Sequence, residues 1–303
     1  MSELNVVTGA TGYSGKYITR KLLDAGHRVR TLTGHPNRPN PLGSQIEIVS
    51  FHFENPDQLR KDLEGVATVY NTYWVRFPHG RRTYAEAVAN TKTLVRAAER
   101  AGVRKFVQVS IANPSADSPL PYYRGKAALE AALAESTLSW AIVRPTVIFG
   151  LEDILVNNMA WLVRNFPVFL IPGSGEYKLQ PVYAEDLAEI ATNAASNPEN
   201  VIVDAVGPET YTFDEMVLLI ARALGRRVRL AHVPPTVAYL LTRLLGPVIH
   251  DVMLTREEIK GLMANLLVSH QPPLGRTSLA DWLAQNAGRV GLHYTSELKR
   301  HFR

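Results

Sequence analysis

The chain contains no cysteine, which excludes disulfide frameworks, zinc–thiolate sites and a cysteine nucleophile together. It has no long block of one charge either. The net charge of +5 is spread over 303 residues, and clusters such as Arg81-Arg82 and Arg226-Arg227 are short. So diffuse an excess argues against nucleic acid as a partner and is explained by attraction of small anionic groups. No basic stretch leads into an apolar one at the amino terminus, where Glu3 stands just ahead of a strand-like run, so no secretory signal is expected and the cytoplasm is the default address. Long apolar runs are missing too. The greasiest stretch of the C-terminal half, Val237 to Ile249, is interrupted by Arg243 and Pro247 and falls short of the roughly 20 residues that span a bilayer, so no integral membrane segment is expected. With 46% hydrophobic and 20% charged residues, wholesale disorder is excluded and a folded protein of one large or two modest domains is expected.

What is present is alternation. Leu4–Thr8, Arg28–Leu32, Ile46–Phe51, Thr68–Asn71, Lys105–Ser110 and Trp140–Arg144 read as strands. Helical patterns stand between them at Ser14–Ala25, Pro56–Leu63, Tyr84–Ala101 and from Tyr122 onward. Such alternation predicts an α/β fold with a doubly wound parallel sheet, joined by right-handed crossovers. The rhythm changes after Pro145. A helical stretch and a Pro172-Gly173-Gly175 loop follow, then a return to strand and helix over 178–205, then mainly helices at 212–224, 235–245, 256–267 and 278–286. The reading is therefore a nucleotide-binding core over 1–150, with 178–205 returning to it. A smaller, mainly helical substrate cap is assigned to 151–177 and 206–303.

The first strand runs into Thr8-Gly9-Ala10-Thr11-Gly12-Tyr13-Ser14-Gly15 and a helix follows. Glycines at a strand-to-helix turn let the backbone approach a pyrophosphate, and the helix end supplies amide N–H groups and positive potential. Thr8, Gly9, Thr11, Gly12, Tyr13, Ser14 and Gly15 are accordingly the candidate phosphate cradle. The G-x-x-G-x-x-G spacing resembles the extended and atypical members of the short-chain dehydrogenase/reductase superfamily. In NAD-preferring proteins the second strand ends in an acid that holds the ribose 2′-hydroxyl. Here the stretch Thr31 to Arg38 has no carboxylate, and Thr33, His35 or Arg38 can bond a 2′-phosphate. NADP(H) is therefore expected, with NAD as the alternative. The family pattern also has an aspartate after the third strand that meets the adenine; this chain offers Phe51-His52-Phe53, with Phe53 the residue able to pack on a ring.

Tyr122 and Lys126 are four residues apart, on one face of a helix. A phenol titrating near pKa 10 needs a neighbouring cation to act as an acid or base near neutrality, and an ammonium at that spacing provides one. The pair resembles the family's Ser/Tyr/Lys set, and its Y-x-x-x-K spacing selects Tyr122 over Tyr123. The resemblance implies Ser110 as the group that orients the substrate oxygen, Lys126 as a ligand of the nicotinamide ribose, Asn71 and Thr72 beside the cofactor, and Pro145-Thr146-Val147 near the carboxamide. Gln180 to Ala188 and Gly207 to Tyr211 resemble atypical members related to a mitochondrial complex I subunit and to NmrA-like proteins; Asp186 there reads as a conformational or capping residue. Asn157 and Asn158 are the polar candidates for a substrate wall, whereas Trp161 and Phe166 read as packing residues. His232, His250 and His270 have no metal-ligand spacing, so no metal is expected. The helices near Val237–Leu245 and Ile259–Leu267 leave open an apolar mouth, a homodimer surface or a membrane-resting patch beside ordinary helix packing. An oxidoreductase acting on a hydroxyl or carbonyl of a small-molecule substrate leads these readings. The alternatives are a non-catalytic dinucleotide-binding sensor or assembly factor, and a sugar-nucleotide epimerase or dehydratase, which the Ser110-Ile111-Ala112-Asn113-Pro114 segment disfavours.

Overall fold

The computed structural model describes residues 2–80, 82–249 and 251–301; Arg81 and His250, noted above, lie outside the described residues. The chain forms two compact units, residues 1–145 with 184–205, and residues 146–183 with 206–303.

In the first unit, β1 (Leu4–Thr8) leads to α1 (Tyr13–Asp24) and β2 (Arg28–Thr33), then to β3 (Ile46–Ser50), α2 (Pro56–Asp62) and β4 (Val66–Asn71). These are followed by α3 (Tyr84–Ala101), β5 (Lys105–Val109), α4 (Pro121–Ala134) and β6 (Ser139–Pro145). The chain then enters the second unit through β7 (Ile148–Phe149), α5 (Leu155–Asn165), β8 (Val168–Pro172), β9 (Lys178–Leu179) and β10 (Val182–Tyr183). It returns to the first with α6 (Ala184–Ser196) and β11 (Val201–Ala205). The rest is β12 (Tyr211–Thr212), α7 (Phe213–Ala223), β13 (Arg229–Val233), α8 (Pro235–Ile249), α9 (Arg256–Met263), α10 (Leu279–Asn286) and α11 (Glu297–His301).

The first unit is a seven-stranded sheet in the order β11-β6-β5-β4-β1-β2-β3, parallel throughout. Covering both faces explains why its central strands read as continuous apolar runs rather than alternating ones. On one face Val6, Leu32, Val69, Phe106 and Ile142 pack with Leu59 of α2 and Leu94 of α3. Removing one such large side chain costs about 2–5 kcal/mol. Strand order reverses between β1 and β4, and it is at such a switch point, beyond the carboxyl ends of the strands, that open α/β sheets bind ligands.

The second unit has its own core, in which Phe149, Met159, Ile171, Phe213, Ile220 and Trp282 pack together. Three two-stranded ribbons brace it: β7 with β10, β9 with β12, and β8 with β13. The ribbons shift the expected boundaries. Residues 146–150 and 178–183 fall in the second unit because β7 and β10 pair with each other rather than with the large sheet. Residues 168–172 and 229–233 form a parallel pair of strands, where the sequence suggested helix and loop.

Candidate active site

The glycine loop winds around one carbonyl. Gly9 has φ +66°, in the left-handed region, and its oxygen accepts the Gly12 N–H at 2.8 Å. A Cβ on Gly15 would stand 2.2 Å from that same oxygen. Thr31, which the sequence reading did not single out, fixes the loop from β2: its hydroxyl accepts the Ala10 N–H at 3.0 Å and donates to the Val7 carbonyl at 2.9 Å. No side chain caps α1 and its first turn holds no acid, so the positive end of the helix faces the loop without local neutralisation. Gly9, Thr11, Gly12, Tyr13, Ser14 and Gly15 make up this turn and the start of α1, an arrangement whose open helix end fits a pyrophosphate.

Thr8 and Asn71 lie together at the switch point, both fully buried. The Thr8 hydroxyl donates to Asn71 Oδ1 at 2.9 Å and accepts the Thr72 N–H at 2.7 Å, while the Thr72 hydroxyl donates to the Thr8 carbonyl at 2.6 Å. Asn71 Nδ2 continues the chain to Gln108 Oε1 at 2.9 Å. These bonds thus tie the carboxyl ends of β1, β4 and β5 together at the switch point.

Basic groups collect at the end of β2. Arg82 lies 3.5 Å from His35, the Thr33 hydroxyl accepts the His35 N–H at 3.1 Å, and Arg38 is held below the usual arginine range, first by burial and then by the charge of Arg82. An anion here would relieve that repulsion. Phe53 stacks on Phe51 at 4.5 Å between centroids and against Tyr73 at 5.3 Å, forming an aromatic cluster beyond the third strand.

Helix α4 opens with Pro121, whose missing N–H costs nothing in a first turn, and carries Tyr122 and Lys126. Lys126 is buried. Its Nζ donates to the Val109 carbonyl at 3.0 Å and sits 4.6 Å from the centre of the Trp74 ring. Burial drives its pKa down to about 7, with the Glu130 carboxylate, one turn further along the helix, acting in the opposite direction. The half-buried Tyr122 meets Trp74 and Tyr84 edge-on, at 5.6 and 5.8 Å. Trp74 is admitted by Gly125, where a Cβ would approach the indole to 2.8 Å. Tyr123, the internal rival, is buried, and burial pushes its phenol up to about 12.

Ser110 is engaged elsewhere. Its hydroxyl donates to Glu130 Oε1 at 2.5 Å, and Glu130 in turn accepts two bonds from Arg144, one of them from Nε at 3.0 Å. Sequence reasoning missed Glu130 and Arg144, although position 130 repeats the four-residue spacing from Tyr122 and Lys126.

In the second unit, the Thr146 hydroxyl donates to the Gln180 carbonyl and the Val147 carbonyl accepts from Val182 N–H at 2.8 Å, which anchors the segment after Pro145. The two asparagines expected on a substrate wall instead brace backbone. Asn157 Nδ2 donates to Gly150 O, Leu151 O and Asp153 Oδ2, and its Oδ1 accepts the Gly291 N–H at 3.2 Å. Asn158 exchanges two bonds with Thr295, at 3.0 and 2.8 Å. Both side chains are buried, so neither is carried into the functional reading.

A parallel seven-stranded sheet in this order, with a glycine turn between its first strand and first helix, is the architecture of a Rossmann fold, which binds dinucleotides at the switch point. Residues 9–153 match the family described as NAD(P)H-binding. Among curated relatives, the chain is 26% identical over 294 residues to a (4-alkanoyl-5-oxo-2,5-dihydrofuran-3-yl)methyl phosphate reductase of Streptomyces griseus, covering 93% of this chain and 97% of that one. It is 24% identical over 283 residues to the mitochondrial NADH dehydrogenase [ubiquinone] 1 alpha subcomplex subunit 9 of Arabidopsis thaliana, covering 87% of this chain and 70% of the relative. The structure of the Citrobacter sp. triphenylmethane reductase complexed with NADP(H) matches the fold with a TM-score of 0.77 at 20% identity, over 95% of this chain and 100% of that one. At the coarse level these likenesses are to NAD(P)H-binding, oxidoreductase-like proteins and, in structure, to the Rossmann fold.

Proposed function

We propose that the protein is an NADP(H)-linked oxidoreductase acting on a hydroxyl or carbonyl group, with Tyr122 exchanging the proton at the substrate oxygen. The carrying observation is the shared neighbourhood of Tyr122 and Lys126 around Trp74, in the same unit as the glycine cradle. When bound, the dinucleotide would supply or accept the hydride. Tyr122 gives its phenolic proton to the oxygen in reduction and takes one in oxidation. Lys126, as the ammonium, stabilises the phenolate and makes that proton available near neutrality. The Trp74, Tyr84 and Tyr122 rings shed water from the proton path, which strengthens the electrostatic effect of the ammonium. The arginines and histidine at the end of β2 support a 2′-phosphate and hence NADP(H) over NAD. Within the first unit, Pro145 at the end of β6 is assigned to the carboxamide and Phe53 to the adenine.

The bond from Ser110 to Glu130 favours a second reading, a dinucleotide-binding sensor or assembly factor, because it engages the one proton with which Ser110 would orient a substrate carbonyl. NADPH oxidation across a panel of ketones, aldehydes and quinones separates the two. Turnover that is lost in Tyr122→Phe while NADPH affinity is retained supports catalysis. Tight binding with no turnover on any compound, or full turnover in Tyr122→Phe, removes the proposed role.

A further inference from the structure

Carboxylates are absent from two stretches of the second unit. Between Glu215 and Asp251 the sequence holds five arginines and no acid, and between Asp153 and Glu176 it again holds none. These stretches build neighbouring elements: β8 pairs along its length with β13, and α8 packs against β8. They also carry most of the exposed large apolar side chains. On β8 and just before it, Phe166, Val168 and Leu170 alternate along one face and are 45%, 41% and 43% exposed, while Phe169 and Ile171 point into the core. On α8, Val237, Leu240 and Leu244 follow helical spacing and are 39%, 52% and 72% exposed. Around them stand Arg226, Arg227, Arg229 and Arg243, all exposed, and among the described residues none of the four has a carboxylate partner.

We infer that this β8–β13–α8 face of the second unit docks the protein on an anionic phospholipid surface, the leucines and Phe166 entering the headgroup boundary and the four arginines pairing with lipid phosphates. Apolar residues flanked by unneutralised arginines match the two components of interfacial binding, burial of apolar area and attraction to anionic lipid. A second copy of the chain is a poorer occupant, since it would bring the same arginines and no acid to the contact. Nucleic acid would leave the exposed leucines and Phe166 without an apolar partner. No helix among the described residues is long and apolar enough to cross a membrane, so the inferred attachment is peripheral.

The test is co-sedimentation of the full chain with vesicles of phosphatidylcholine alone and of phosphatidylcholine mixed with phosphatidylglycerol. Partitioning to the mixed vesicles only, weakened by salt, is expected. Arg226→Gln and Arg227→Gln should each lower partitioning about fivefold. Leu240→Ser with Leu244→Ser should lower it further, with circular dichroism and NADPH binding unchanged. Equal sedimentation with both vesicle types, or with neither, overturns the inference. So does a dimer in sedimentation velocity that Leu240→Ser with Leu244→Ser dissolves, which would assign the face to a second copy.

Discussion

Lys126 is costly to bury, and the cost is measurable. In the unfolded chain its ammonium titrates at the ordinary lysine value near 10.4; in the folded protein burial brings it to about 7. The group is a base whose folded pKa is lowered, so the unfolded state holds the extra proton between those values and stability rises with pH across that window. Below about pH 7 the full penalty applies, on the order of 5 kcal/mol for a fall from the ordinary lysine value to about 7, and it vanishes above about pH 10.5. Substituting Lys126→Met removes the penalty and takes one of two side-chain donors from the Val109 carbonyl, which keeps its bond from Gln108 Nε2 at 2.9 Å, so the loss costs about 1 kcal/mol. The variant is therefore expected to be more stable than the parent by a few kcal/mol at about pH 6. The parent should regain about 3 kcal/mol on that variant by about pH 9. Urea unfolding of both proteins at the two pH values reads this directly. Parallel pH dependence in parent and variant would refute the reasoning, because Lys126 would then carry no shifted proton. The gain in stability should come with loss of turnover, as expected where a strained group serves function.

Two further outcomes follow from neighbouring groups. Glu130→Gln removes the charge that holds the Lys126 pKa up, so the alkaline limb of the pH–rate profile should move to lower pH; an unmoved limb would separate Glu130 from the reaction. Arg82→Glu should weaken NADPH by about tenfold to a hundredfold while NADH changes little, since one charge-assisted bond to a 2′-phosphate is worth about 1.5–3 kcal/mol; equal loss for both dinucleotides would place the phosphate elsewhere.

The sheet was legible wherever neighbouring signals agreed. Leu4–Thr8 is apolar, ends on glycines and precedes a helical pattern, and α3 begins at Thr83, whose hydroxyl accepts the Glu86 N–H, and ends at Gly102 with φ +70°. Where structure depends on distant partners, the pattern failed. Val168–Pro172 becomes a strand only because Arg229–Val233 lies beside it, some 60 residues on, and a short run flanked by prolines carries no sign of that pairing. Asn157 and Asn158 looked like substrate ligands because polar residues stood out in an apolar helix. Their distant partners, the backbone at Gly291 and Thr295, are brought in by tertiary packing, and Asn157 also bonds Gly150, Leu151 and Asp153 nearby. The Tyr122/Lys126 spacing was visible, but the tie of Ser110 to Glu130 and Arg144 needed three separate elements to converge. Basic residues at the end of β2 were half legible: His35 and Arg38 follow the strand, whereas Arg82 arrives from the segment before α3.

In the proposed function the glycine loop holds the dinucleotide diphosphate. Calorimetric titration of the full chain and of Gly15→Ala with NADPH tests it most directly, since the added Cβ would strike the Gly9 carbonyl, 2.2 Å away, and unwind the cradle. Binding at one equivalent in the parent and its loss in a folded Gly15→Ala protein are expected. Undiminished affinity in that variant, or no heat of binding in the parent, would contradict that role of the loop.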